Sequence, residues 1–123
     1  GEEVTSGFMQ PHSFFTDLTS YQNEGPSARN LRAILPSEAL LLPNRPFQKL
    51  KAFMPGLVQF ESAYYEQVLF NKVQFQQQLR QSNAKKAYQL FTEHYPFAAQ
   101  HAPKHCIASF LGLSPYTLSR VRL

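Results

Sequence analysis

The sequence predicts an α+β fold: antiparallel strands in the first third, a long helix in the middle, and a helix-turn-helix at the end. Three observations carry this expectation. The apolar runs before residue 46 are short and bounded by Pro and Gly. Residues 57–81 contain neither Pro nor Gly. Residues 103–122 place a small residue, a glycine and several apolar residues at the offsets that two closely crossing helices require. The boundaries that follow are 1–45 for the strand region, 46–81 for a short helix and the long one, and 82–123 for the helix-turn-helix domain.

In the strand region, Gly7-Phe8-Met9-Gln10-Pro11-His12 mixes apolar and turn residues, and Asn23-Glu24-Gly25-Pro26-Ser27 is a turn cluster. Leu31, Ala33 and Leu35 alternate with Arg32 and Ile34. Ala39 to Leu42 is a short apolar run closed by Pro43.

Pro46 suits the first turn of a short helix reaching about Phe53, and Pro55 suits the start of the next. The long helix is expected from Gly56 to about Gln81. Leu57, Tyr64, Val68, Phe75 and Leu79 fall on three-and-four spacing, with Val58, Tyr65, Leu69 and Val73 beside them. So wide a stripe needs cover, and a chain of 123 residues has little to spare. Packing against its own chain is one reading. A homodimer seam through Leu57, Tyr64, Tyr65, Val68, Phe75 and Leu79 is the preferred one. Ser82-Asn83 then offers a cap for a helix over 84–94, ended by Tyr95-Pro96, and a short helical turn fits 97–102.

In the terminal motif, Ile107 and Leu111 are the inward residues of the first helix and Ala108 is the small residue at the crossing. Gly112 makes the turn, where a positive φ is needed, and Leu113 plugs it. Leu118 and Val121 point inward from the second helix. Ser114-Pro115 reads as an N-cap followed by proline at the first helical position. The second helix, 115–123, would be the reading helix in a major groove of double-stranded DNA. Arg120 is the candidate for a base or phosphate contact, since a guanidinium can bridge guanine O6 and N7. Thr117 and Ser119 are short donors for phosphate or base edges, and Tyr116 can reach the backbone. Ser114 can offer its hydroxyl and amide to a phosphate. Lys104 and Arg122 complete the set of candidate DNA contacts.

Charge agrees with that placement. The chain holds 12 Lys+Arg against 8 Asp+Glu, a net +4. Up to residue 81 the two signs cancel. Beyond it stand Lys85, Lys86, Lys104, Arg120 and Arg122 against Glu93 alone, so the whole net charge sits in the last third.

The run Ile107-Ala108-Ser109-Phe110-Leu111-Gly112-Leu113-Ser114-Pro115-Tyr116-Thr117-Leu118-Ser119-Arg120-Val121-Arg122 resembles the end of the Crp/Fnr superfamily of bacterial transcriptional regulators. Ser13-Phe14-Phe15-Thr16-Asp17 is similar to the entry of that family's phosphate-binding cassette. Residues 26–29 and 32–42 resemble the strands after it, and 56–81 its dimerisation helix. The resemblance implies a partial antiparallel β-roll of the cyclic-nucleotide-binding kind over 1–45, only the last part of such a barrel. The chain would then be a fragment or short form. It also makes Asp17, Ser27, Ala28 and Arg29 candidates for lining an effector site. Thr16-Asp17 and Ser27-Ala28 stand where cyclic-AMP binders carry Gly-Glu and Arg-Ser, so cyclic AMP is not the expected effector, and the effector is left open. Tyr116 replaces an acidic residue common in the reading helix, which implies a different operator.

Other chemistry finds little support. His94, His101, His105 and Cys106 cluster in sequence but lack the spacing of a metal site, so no metal and no cofactor is expected. No nucleophile with an activating constellation, paired carboxylates or Gly-rich phosphate loop is readable, and an enzyme is not expected. A single cysteine, no apolar run of membrane-spanning length and no signal peptide point to the cytoplasm. The alternative function is a small-ligand-sensing or protein-interaction module with a vestigial helix-turn-helix.

Overall fold

The computed structural model describes residues 3–121, and they fall into two compact units. One comprises residues 14–72. The other joins the residues before 14 to those from 73 onward.

The 14–72 unit holds helix α1 (Leu18–Asn23), helix α2 (Asn44–Phe53) and the first part of helix α3 (Pro55–Arg80). α1 stops where Glu24 takes up the left-handed conformation at φ 53°, and the Gly25 N–H donates to the Ser20 carbonyl at 3.2 Å. α2 begins after Pro43, two residues before Pro46, so Pro46 lies inside the first turn instead of opening it. α3 starts on Pro55 and continues without interruption, because no proline or glycine stands between Gly56 and its end at Arg80. At 1.5 Å per residue it is about 39 Å long.

Two side-chain groups hold this unit together. Tyr64 donates its hydroxyl to the Phe14 carbonyl at 2.9 Å and accepts from the Phe14 N–H at 3.1 Å. The Phe14 ring stands edge-on to Tyr64 at 5.5 Å and to Phe60 at 5.9 Å. The second group is polar. Lys51 Nζ lies 2.9 Å from Glu61 Oε1 and 3.0 Å from the Tyr21 hydroxyl, which itself donates to Glu61 Oε2 at 2.9 Å. That triangle ties α1, α2 and α3 together. The Glu61 hydrogen bond and then that of Tyr21 raise the Lys51 pKa above its ordinary value.

The expected β-roll does not form. Among the described residues there is no strand, and the chain is all-helical instead of α+β. Residues 26–43 run without regular structure, and the cassette-like segment around residue 17 leads into a helix. With no sheet among the described residues, the expected cyclic-nucleotide-binding-like domain is not supported. The physical reason lies in the segments themselves. A strand needs a neighbour to satisfy its backbone, and a lone pair of strands is marginal in water. Pro36 and Pro43 break the two apolar runs, and Leu40-Leu41-Leu42 does not alternate. Leu40 is left 98% exposed and Leu41 89%.

The second unit contains the end of α3, then α4 (Ala84–His94), α5 (Pro96–His101), α6 (Lys104–Leu111) and α7 (Pro115–Val121). Asn83 caps α4, its side-chain oxygen accepting from the Lys86 N–H at 2.9 Å. Every buried apolar side chain among the described residues belongs to this unit. Phe91, Ile107, Ala108 and Leu118 are fully enclosed. α4 packs on α5 and α7, and α6 on α7. An aromatic cluster of Phe75, Phe91, Tyr95 and Phe110 sits beside them, with Phe91 stacked on Tyr95 at 5.3 Å and Phe75 on Phe110 at 6.0 Å. Burial pushes the Tyr95 hydroxyl pKa up.

Candidate nucleic-acid interface

The α6–turn–α7 segment is set by Gly112. At φ 70° it lies in the left-handed region, its N–H donates to the Ser109 carbonyl, and the Leu113 N–H reaches back to the Ala108 carbonyl at 2.9 Å. This pair of bonds closes the end of α6 and turns the chain toward α7. Ala108 and Leu118, both at 0% exposure, allow the two helices to approach closely. Ser114 opens α7: its Oγ accepts from the Thr117 N–H at 3.0 Å and lies 2.8 Å from Thr117 Oγ1. The two hydroxyls expected to serve as separate donors are therefore paired with one another.

With Leu118 buried and Thr117 and Val121 half-buried, the remaining residues of α7 face solvent. Tyr116 is 72% exposed, and Ser119 and Arg120 are exposed as well. The Arg120 guanidinium lies 5.8 Å from the centre of the Tyr116 ring, one helical turn away. Arg122 lies outside the described residues. Lys104 stands exposed in the first turn of α6, and Lys85 and Lys86 are exposed in the first turn of α4. Neither first turn holds an acidic residue. Cations there oppose the helix dipole.

No protein-family model matches the chain, and no curated protein and no solved structure is significantly similar to it. The site therefore has to be read from its own chemistry.

The other predicted residues divide. Asp17, Ser27, Ala28 and Arg29 do come together. The Ser27 hydroxyl donates to Asp17 Oδ2, and the Arg29 N–H donates to Ser27 Oγ at 3.0 Å. The Ser27 hydrogen bond, aided by the Arg29 charge, holds the Asp17 carboxyl below its usual pKa. Asp17, Ala28 and Arg29 line an open depression of about 220 Å³ with Thr19, Ser20 and Asn23.

Of the dimer candidates, Leu57, Tyr64, Tyr65 and Leu79 are half-buried and Val68 is exposed. Phe75 is only 3% exposed, enclosed by His94, Tyr95 and Phe110, so the chain's own core claims it. Tyr65 packs against Tyr21 at 6.4 Å, and burial raises its pKa, with the Glu61 charge adding to the effect. The histidines also find aromatic neighbours: His94 lies 4.9 Å from Phe75 and His101 lies 4.8 Å from Phe97. Among the described residues no three His, Cys, Asp or Glu are placed to share a metal ion, and no helix is long and apolar enough to cross a membrane.

Sequence reasoning missed one part of this unit. Thr5, Phe8 and Gln10 pack against it from the far end of the chain. The only available signal was an aromatic residue inside a turn-like segment, which specifies no partner.

Proposed function

We propose that this chain is a DNA-binding transcriptional regulator that reads the major groove with α7. One observation carries the reading. Gly112 in the left-handed turn, with Ala108 and Leu118 fully buried, leaves a short helix that presents Tyr116, Ser119 and Arg120 outward from the basic third of the chain. Arg120 contacts a guanine edge or a phosphate, while Lys104, Lys85 and Lys86 contribute phosphate contacts. Ser114 and Thr117 order the start of the helix, the Ser114 hydroxyl oxygen accepting from the Thr117 N–H. The likeness to Crp/Fnr regulators supports this reading over residues 107–122 only. The regulator is cytoplasmic, in keeping with its one free cysteine, and it is not an enzyme.

The regulator acts as a homodimer through α3, so that two reading helices meet successive major grooves about 34 Å apart. Val58 and Leu69 support this: both are exposed, and they lie about three helical turns apart, on one side of α3. Titration of labelled duplex DNA at several salt concentrations, on a chain whose mass in solution has been measured, tests the proposal. Affinity should fall steeply with salt. Binding that is absent at low salt refutes it.

A second reading, a protein-interaction module with a vestigial helix-turn-helix, draws on the bare Leu40, Leu41 and Leu42. A dimer that binds no duplex at low salt would favour it.

A further inference from the structure

The helix-turn-helix unit is completed by residues from the opposite end of the chain. The Thr5 N–H donates to the hydroxyl of Ser109, on α6, at 3.0 Å. The Phe8 ring stands edge-on to Phe110 of α6 at 5.3 Å and to Phe91 of α4 at 5.5 Å. It also lies 6.3 Å from Tyr95, and the Gln10 side-chain amide donates to the His94 carbonyl at 3.2 Å, at the end of α4. Thr5, Phe8 and Gln10 are the half-buried residues of this stretch, while Val4, Ser6, Gly7 and Met9 are exposed. The segment has no regular secondary structure. Its grip consists of one aromatic plug with a hydrogen bond on either side.

We infer that residues 5–10 are a detachable strap whose docking fixes α6 and thereby the pose of α7. Ser109 and Phe110, the two α6 residues it holds, directly follow Ile107 and Ala108, which are fully buried where α6 packs on α7. The strap therefore acts on the helix that positions the reading helix. A non-helical segment held at three points gains little against the entropy of ordering it, so it opens far more readily than the core beneath it. Docked, it leaves the DNA face ordered. Released, it lets α6 and α7 fluctuate and weakens binding. A ligand or partner that captures residues 5–10 would reduce DNA affinity without touching α7. This consequence rests on the DNA-binding reading, whereas the strap itself does not.

Hydrogen exchange of the full chain tests the strap, with Phe8→Ala, Thr5→Pro and Phe8→Leu compared with the parent protein. Thr5→Pro removes the donor to Ser109 and leaves Phe8 in place. Amides of 104–111 should exchange about tenfold faster in Phe8→Ala and Thr5→Pro. Those of 96–101, to which the strap makes no hydrogen bond or ring contact, should be unchanged, and Phe8→Leu should restore part of the protection. DNA affinity should fall about fivefold in the same two variants. Unchanged exchange at 104–111 overturns the strap, as does an equal rise at 96–101, which would mean a weakened core. If Phe8→Ala loses its helical circular dichroism, Thr5→Pro decides. Faster exchange at 104–111 with unaltered DNA affinity overturns the regulatory role. If the parent protein binds no duplex, the DNA reading fails, while the exchange comparison still decides the strap.

Discussion

The Arg120 guanidinium and the Tyr116 ring face one another across a single turn of α7, 5.8 Å apart. Such an exposed cation–π pair is worth about 0.5–1 kcal/mol. The pair also restricts the arginine to one side of the helix, so that under the proposed function less freedom would be lost on contact with a base or a phosphate. Arg120→Ala should therefore weaken duplex binding by about 1–3 kcal/mol and relax sequence preference at one position. Tyr116→Phe keeps the ring and should change binding little, while Tyr116→Ala should lose part of the Arg120 effect. Titrations of the single and double variants would reveal the coupling, and strictly additive losses would mean the two residues act separately.

Gly112 is tested through its backbone. A Cβ built there would meet nothing within 4 Å, so the positive φ of 70° alone resists substitution. Gly112→Ala should cost about 1–2 kcal/mol, the penalty of a left-handed L-residue. Gly112→Asn should cost less, because Asn visits this region more readily. Thermal melts by circular dichroism would rank the three. An alanine variant as stable as the parent would mean that the turn relaxes out of the left-handed conformation.

The helix-turn-helix was legible because each of its requirements is local. A positive-φ glycine, a small crossing residue and the capping Ser114 leave a mark on residue type at fixed spacing. The same holds for α3, read over 56–81 and found at Pro55–Arg80, and for the Asn83 cap of α4. The β-roll is not legible either way, because strands are defined by partners, and short apolar runs broken by proline do not name any. Phe75 was assigned to a dimer seam because its spacing matches Leu57, Tyr64 and Val68. Periodicity tells which side of a helix is apolar, but not what covers it, and here His94, Tyr95 and Phe110 do. The strap was invisible for the same reason: Thr5 and Ser109 stand too far apart in sequence for any spacing rule.

Leu118 probes the core beneath the exposed side of α7. It is fully buried, so Leu118→Ala removes the branch carbon and both its methyl groups and leaves a cavity, at a cost of about 2–5 kcal/mol. Loss should be confined to the unit that contains α4 to α7. Hydrogen exchange at 84–118 should rise while that of the 14–72 unit stays as it was. If both units loosen equally, their stabilities are linked.

Alkaline pH should destabilise the protein. The buried Tyr95 hydroxyl, the partly buried Tyr65 hydroxyl and the Lys51 ammonium all have their pKa values raised in the folded chain. In each case the protonated form is favoured by folding. The stabilisation is complete below the pH at which the unfolded side chains titrate, about 10 for Tyr and 10.4 for Lys. It is lost as pH rises through that range toward the folded values, because the unfolded chain releases its protons first. Urea midpoints measured from neutral to strongly alkaline pH should fall at the alkaline end. Tyr95→Phe keeps the ring beside Phe75 and Phe91 but has no proton to lose, so the fall in the second unit should be shallower. With six tyrosines and no tryptophan, near-ultraviolet absorbance reports phenolate formation directly. A Tyr95→Phe variant whose alkaline limb overlays the parent's would show that its burial has no bearing on alkaline unfolding.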